Sequence, residues 1–252
     1  MILDKFRVDG KIGVVTGGTK GIGKAIAMAL AEAGADIAVV SRSPHPDIEK
    51  VILDLGRRYI HHAADLTERE QTRKVIPAVV EKMGDLDILV NNAGIIRRSP
   101  AAEHSEGDWD STLETDLTAP FILCQAAGRI MLKKGKGKII NIASALAFQG
   151  GINVAAYTSA KHGVVGLTKA LANDWASKGI NVNALAPSFF TTEFTEAIEK
   201  DPERSKSITA RTPAGRWGTP EDIAGAALFL ASPASDFIHG VVLPVDGGWL
   251  AW

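Results

Sequence analysis

The sequence predicts an α/β chain built as one doubly wound parallel sheet of about seven strands with helices on both faces. Three observations lead there. Short apolar runs alternate with helix-periodic segments from end to end, the pattern of strands buried on both sides by crossover helices. No repeat, linker or low-complexity tract divides the 252 residues, so 1–252 reads as a single domain. A glycine-rich turn, Thr16-Gly17-Gly18-Thr19-Lys20-Gly21-Ile22-Gly23, joins the first strand to the first helix. That turn makes the domain Rossmann-like, because glycines there let backbone approach a pyrophosphate whose charge a helix N-terminus favours.

Strands are expected near 12–16, 36–41, 58–63, 86–91, 138–143, 180–186 and 240–245. Helices are expected near 21–33, 47–56, 68–83, 108–134, 155–178 and 220–231, with a less regular helical segment around 192–210. The end of the second strand selects the nucleotide. A carboxylate there bonds the ribose 2′-hydroxyl of NAD, whereas a cation accepts the 2′-phosphate of NADP. The chain reads Ser41-Arg42, with no carboxylate before Asp47 and with Lys20 in the glycine turn as a second cation, so NADP(H) is expected over NAD(H).

Composition narrows the function classes. Hydrophobic residues make up 46% and charged residues 23%, ordinary for a globule, and the formal net charge of −1 provides no field to gather nucleic acid or anionic membrane. Cys124 is the single cysteine, which excludes an intrachain disulfide and a thiolate metal cluster. His61 and His62 are adjacent on a strand, point to opposite faces and make a poor metal site; no metal is expected. The opening residues Met-Ile-Leu-Asp-Lys-Phe-Arg lack the apolar run of a signal peptide and no run approaches a membrane span, so a cytoplasmic protein is expected.

The chemistry concentrates between Ser144 and Lys161. Tyr157 and Lys161 lie four residues apart on a helix, which puts phenol and ammonium on one face. A free tyrosine titrates at about 10, and a neighbouring cation favours the phenolate, bringing the group towards general acid/base work. Ser144, after the apolar run Ile139–Ala143, would hold a carbonyl oxygen against the phenol. Hydroxyl, phenol and lysine together point to carbonyl reduction. Tyr-x-x-x-Lys alone recurs by chance on many helices, so the pair gains its weight from the rest of the pattern.

Thr16-Gly17-x-x-x-Gly21-x-Gly23, Asp65-Leu66, Asn91-Asn92-Ala93-Gly94, Ser144, Tyr157-x-x-x-Lys161, Pro187 and Asp246-Gly247-Gly248 resemble, in order and over the whole chain, the short-chain dehydrogenase/reductase family. The resemblance implies a homotetramer. It implies that Gly17, Thr19, Lys20, Gly21, Ile22 and Gly23 hold the pyrophosphate, with Asp65 and Leu66 on the adenine and Asn92, Ala93 and Gly94 on the adenosine ribose; Ser41 and Arg42 are placed on the cofactor by their position at the end of the second strand. Pro187, Phe190 and Thr192 would flank the nicotinamide. Tyr157 would be the acid/base, Lys161 would bind the nicotinamide ribose and lower the tyrosine pKa, and Ser144 would orient the substrate. The glycine usual after Pro187 is Ser188 here. The asparagine usual in the middle of the fourth helix is Asp116. In the family its main-chain carbonyl stays free to hold a water that links the lysine to solvent. Pro120, four residues on, has no N–H for that carbonyl, so the relay and a catalytic part for Asp116 are expected to survive.

Further segments, Arg97-Arg98, Ser105-Glu-Gly-Asp-Trp109, Phe148-Gln149-Gly-Gly, Arg216-Trp217-Gly and Trp249-Leu250, are similar to family members acting on keto-deoxy sugar acids. A guanidinium suits a substrate carboxylate, and Arg97 or Arg98 lies just beyond the cofactor turn. Arg97, Arg98, Gln149 and Trp217 are therefore expected to shape the substrate pocket. Competing readings are a gluconate 5-dehydrogenase, a 3-oxoacyl-thioester reductase and a nucleotide-sensing module without turnover; the intact Ser144, Tyr157 and Lys161 argue against the last. The tail Trp249–Trp252 is apolar, and coming straight off the last strand it is expected to pack across a two-fold subunit interface.

Overall fold

The computed structural model describes residues 1–251 of the chain. Strands β1 (Ile12–Thr16), β2 (Asp36–Ser41), β3 (Tyr59–Ala63), β4 (Ile88–Asn91), β5 (Gly137–Ile142), β6 (Ile180–Pro187) and β7 (Val242–Val245) form one seven-stranded sheet in the order β3-β2-β1-β4-β5-β6-β7. Every neighbouring pair is parallel. The helices are α1 (Gly21–Glu32), α2 (Pro46–Asp54), α3 (Arg69–Met83), α4 (Glu106–Leu113), α5 (Ala119–Lys134), α6 (Ala155–Trp175), α7 (Glu196–Glu199), α8 (Pro202–Arg211) and α9 (Pro220–Ala231).

Alternation along each strand sorts the two layers. Val15, Ile37, Val39 and Val90 pack against Ile26 and Leu30 of α1, Ile48 of α2 and Leu230 of α9. Their neighbours Val14, Ala38, Val40 and Leu89 turn the other way, onto Val79 of α3 and Leu123 of α5. Each of the large aliphatic side chains withdrawn from water contributes about 1.5–3 kcal/mol, which is why the strands read as unbroken apolar runs. A buried polar chain crosses the second layer: the Asn91 amide donates to Asn141 Oδ1 at 2.8 Å, Asn141 Nδ2 to Thr168 Oγ1 at 2.9 Å, and Thr168 to Val164 O at 2.8 Å. It fastens β4 and β5 to α6, the helix that carries Tyr157 and Lys161.

Two expected elements differ. The helix expected over 108–134 is divided into α4 and α5 by a π-turn at Glu114–Thr118, closed by the Ala119 N–H on Glu114 O. One extra residue is accommodated there, and Pro120, which offers no N–H to the preceding turn, follows at once. The irregular segment after β6 resolves into the short helices α7 and α8.

The chain end is also corrected. Trp249 is buried in its own subunit, at 6% exposure, in a cluster with Ala145, Ile198 of α7 and Ile208 of α8. Its ring meets Phe189 edge-on at 4.9 Å and lies under the Arg211 guanidinium at 3.9 Å. The tail has the reach to fold back because Gly247 and Gly248 both take positive φ, at 62° and 90°. Asp246 then secures the reversal, accepting the N–H groups of Gly248 and Leu250 at 2.9 Å each. Trp252 lies outside the described residues. Because Trp249 holds α7 and α8 against the body, Trp249→Ala is expected to cost about 3–5 kcal/mol and to open residues 192–211 to limited proteolysis. A denaturation midpoint and cleavage pattern like those of the native protein would contradict this.

Candidate active site

In a parallel sheet the carboxyl ends of the strands share one edge, and a crevice opens where neighbouring crossovers depart in opposite directions. Here that point lies between β1 and β4. A cleft of about 620 Å³ opens there, lined by the glycine turn, the ends of β2 and β4, and residues 192–195 beyond β6.

The glycine turn is shaped for close approach. Gly17 and Gly21 adopt positive φ, at 64° and 53°. A Cβ on Gly23 would lie 2.3 Å from Gly17 O and 2.4 Å from Asn92 Nδ2, so only glycine lets α1 begin this close under the turn. Gly17, Thr19, Lys20, Gly21, Ile22 and Gly23 all face the cleft. The bare N-terminal N–H groups of α1 and the absence of side chains above them suit a pyrophosphate. Asn92 braces this turn, donating from Nδ2 to Thr16 O at 2.9 Å, while it, Ala93 and Gly94 also line the cleft.

Ser41, Arg42, Asp65 and Leu66 line the far end of the same cleft. Ser41 Oγ donates to Ser43 O at 2.8 Å and lies 2.9 Å from His61 Nε2. The hydrogen bonds of Thr67 hold the Asp65 carboxyl below the usual carboxylate range, aided by the nearby Arg42. Of the two cations expected here, Lys20 is paired with Glu193 across the mouth of the cleft. Arg42 forms no salt bridge among the described residues. Pro187 closes β6, and its neighbour Ser188 lines the cleft with Phe190 and Thr192. Ser188 fits where glycine is usual because its backbone is not left-handed, and its hydroxyl caps Asp246 O at 3.0 Å.

Tyr157 and Lys161 stand on one face of α6, with Lys161 Nζ 5.3 Å from the phenol ring centroid. Ser144 is buried just past β5, its hydroxyl accepting the Leu146 N–H at 3.1 Å and facing the phenol. Lys161 is 4% exposed and donates to Ile142 O at 3.0 Å. Beneath it lies Asp116, wholly buried on the π-turn, with Oδ2 3.2 Å from Lys161 Nζ and Oδ1 accepting the Ile95 N–H at 2.8 Å. The expectation had assigned Asp116 a main-chain role; its carboxylate makes these contacts, and sequence alone gave no sign of them.

Burial reverses a second expectation, and that carboxylate adds to it. Lys161 draws the Tyr157 phenol down, with help from Ser144 and Arg98, but burial pushes it up more strongly and Asp116 pushes the same way. The phenol is thus held above its ordinary value. Burial likewise raises the Asp116 carboxyl, against the pull of Lys161, and the charge of Asp116 leaves Lys161 firmly protonated.

The four expected substrate residues separate. Arg97 lines the cleft and pairs with Asp108 at 3.4 Å. Arg98 is not in the cleft lining, has no carboxylate partner among the described residues and sits near Tyr157 and Arg204. Gln149 accepts from Arg211 at 3.3 Å, and Trp217 stacks edge-on against Phe189 at 5.4 Å, below the wall rather than in the cleft lining. Sequence reasoning missed Arg204 and Arg211 of α8 and Phe194, whose ring lies 6.0 Å from that of Tyr157.

The family described as enoyl-(acyl carrier protein) reductase matches residues 17–250. The chain belongs to the short-chain dehydrogenase/reductase family. It is 47% identical over 253 residues, covering all of both chains, to a 2-dehydro-3-deoxy-D-gluconate 5-dehydrogenase of Dickeya dadantii. A putative NAD(P)-dependent gluconate 5-dehydrogenase from Beutenbergia cavernae, solved with bound NADP at low occupancy, superposes with a TM-score of 0.95 at 48% identity, over 98% of this chain and 100% of that one. A putative 2-deoxy-D-gluconate 3-dehydrogenase from Agrobacterium tumefaciens with bound NADP superposes with a TM-score of 0.93 at 48% identity, over 98% and 99%. The family gives the chain an oxidoreductase fold and an oxidoreductase site.

Proposed function

We propose that this chain is an NADP(H)-dependent reductase of a ketone on a keto-deoxy sugar acid, acting as a 2-dehydro-3-deoxy-D-gluconate 5-dehydrogenase in uronate breakdown. The observation that carries the substrate class is Arg98, a guanidinium without a carboxylate partner, close to the one phenol in the cleft. A carboxylate held there leaves the rest of a short sugar acid at Tyr157 and Ser144. The relatives named for sugar-acid dehydrogenases support the same reading over the whole chain. A cytoplasmic homotetramer is proposed on the family resemblance.

NADPH, when bound, supplies the hydride. The turn from Gly17 to Gly23 would hold its pyrophosphate, Asp65 and Leu66 its adenine, Asn92 to Gly94 its adenosine ribose, and Arg42 its 2′-phosphate. Lys161 would bind the nicotinamide ribose, and Pro187, Phe190 and Thr192 would border the nicotinamide. Ser144 holds the substrate oxygen against the phenol, and Tyr157 gives its proton to that oxygen as the carbonyl carbon is reduced. The phenolate left behind lies beside Lys161. Arg98 fixes the far end of the substrate, so that the ketone meets Tyr157 in one orientation.

Protein mixed with NADPH and a panel of sugar keto-acids should consume the nucleotide, read as loss of nicotinamide absorbance. Turnover of gluconate-type substrates alone would favour a gluconate 5-dehydrogenase, and turnover of 3-oxoacyl thioesters alone would overturn the sugar-acid reading. Arg42→Asp should reverse the preference for NADP(H), and native efficiency equal or better with NAD(H) would refute the cofactor assignment. Arg98→Ala should raise KM for an acidic substrate about ten- to a hundred-fold, the loss of one charge-assisted contact worth about 1.5–3 kcal/mol. Arg97→Ala should change it far less, since Asp108 already occupies that exposed guanidinium. Equal effects at the two arginines would contradict this division.

A further inference from the structure

The fourth helix carries a carboxylate where the family usually has a neutral amide, and the surrounding backbone is shaped to it. Oδ1 of Asp116 takes the Ile95 N–H at 2.8 Å, and Oδ2 lies 3.2 Å from Lys161 Nζ. Gly94 passes so near that a Cβ there would lie 2.8 Å from Oδ2. The pair is buried on both sides, with side-chain exposures of 5% for Lys161 and 0% for Asp116. An isolated ammonium at that depth is unfavourable, whereas an adjacent carboxylate compensates it. Asparagine would serve Ile95 equally well through its amide oxygen, so the hydrogen bond alone does not require an acid. What the acid adds is a negative charge under Lys161.

We propose that Asp116 is a positioning residue that neutralises Lys161 from below and thereby keeps Tyr157 in its proton-donating form through neutral pH. The groups facing the phenol are Lys161 from its own helix, Asp116 from the π-turn, Ser144 from the end of β5 and Arg98 from the loop after β4. Facing Asp116 are Lys161 and the Ile95 N–H. Burial is the larger cause that holds the phenol up; of the charges around it, only Asp116 is negative, and it opposes the two cations. With Lys161 cancelled, the form of the site able to protonate a substrate oxygen predominates at neutral pH. The phenolate that must take the proton of an alcohol during oxidation accumulates only at alkaline pH.

The chain has two tyrosines, Tyr59 and Tyr157, which makes the phenol directly visible. Burial pushes Tyr59 up to about 12, and Tyr59→Phe removes it from the signal. Ultraviolet difference titration of tyrosinate by pH jump, in Tyr59→Phe protein without nucleotide, reads Tyr157; the step should vanish on adding Tyr157→Phe. In the Tyr59→Phe protein Tyr157 should titrate above a free tyrosine, burial and Asp116 together outweighing Lys161, and the part due to Asp116 is what its variants isolate. Asp116→Asn and Asp116→Ser should both lower it, on the order of one pH unit for the loss of a neighbouring charge, since a charge effect is shared by unlike shapes. The alkaline limb of alcohol oxidation should move to lower pH in step; only this arm rests on the sugar-acid reading. If no sugar acid is turned over, that reading fails and the titration still decides the proposal. Titration of Tyr157 below a free tyrosine with Asp116 intact overturns the proposal even where a variant does not fold. Unmoved titration in both variants, or shifts of opposite sign, also overturns it.

Discussion

Thr16 Oγ1 accepts the main-chain N–H groups of both Asn92 and Ala93 at 2.9 Å, and the Asn92 side chain returns two bonds, to Thr16 O at 2.9 Å and Gly17 O at 3.3 Å. This knot extends the pairing of β1 with β4 beyond the last ladder pair, at the place where the crossovers on either side leave in opposite directions. It satisfies main-chain groups that have just left their ladders and would be costly to strand in a dry interior. It also fixes the glycine turn from one side. From the other, the loop from Gly94 to Arg98 is led down over Asp116 and towards Tyr157. One cluster of hydrogen bonds thus sets the spacing between the place suited to a nucleotide and the place suited to a ketone.

The second requirement is that α6 cannot slide. A shift of a fraction of a turn would take the Tyr157 hydroxyl out of reach of Ser144. The polar chain from Asn91 through Asn141 to Thr168 prevents it, because Asn141 sits on a strand held on both edges while Thr168 lies two turns along α6 from Lys161. Lys161 is tied a second time, to Ile142 O and to Asp116. Carbonyl and carboxylate both meet the buried ammonium there, which compensates its burial and defines its position.

Much of this was legible in the sequence, for reasons that can be named. The strands stood out because a sheet covered on both faces demands consecutive apolar residues, as in Gly13-Val14-Val15, and α1 because glycines precede a helix-periodic stretch. The π-turn had no such signature: an inserted residue leaves composition and period nearly unchanged, and Pro120 reads equally well as a simple kink. The pairing of Asp116 with Lys161 joins residues far apart in sequence that only the packing of the π-turn on α6 brings together. Arg97 and Arg98 could not be separated, since neighbouring side chains diverge according to a backbone that sequence does not specify. The fate of Trp249 was misjudged because Gly247 and Gly248 were read as a motif rather than as a reversal.

The net charge of −1 gives this protein no general attraction for anions, so any preference for an anionic ligand has to arise from local placement. In and around the cleft there are more cations than are left available. Lys20 is engaged by Glu193, and Arg97 by Asp108. Lys161 is engaged by Asp116, and Arg211 lies against the face of Trp249. Arg42 and Arg98 stand apart from these, one at the end of β2 and the other on the loop after β4, each without a salt bridge among the described residues. A paired cation has already surrendered most of its electrostatic attraction, whereas a free guanidinium can offer two aligned donors to an incoming anion. Of the two, Arg42 lines the cleft at the end of β2, while Arg98 lies outside its lining and near the phenol of Tyr157.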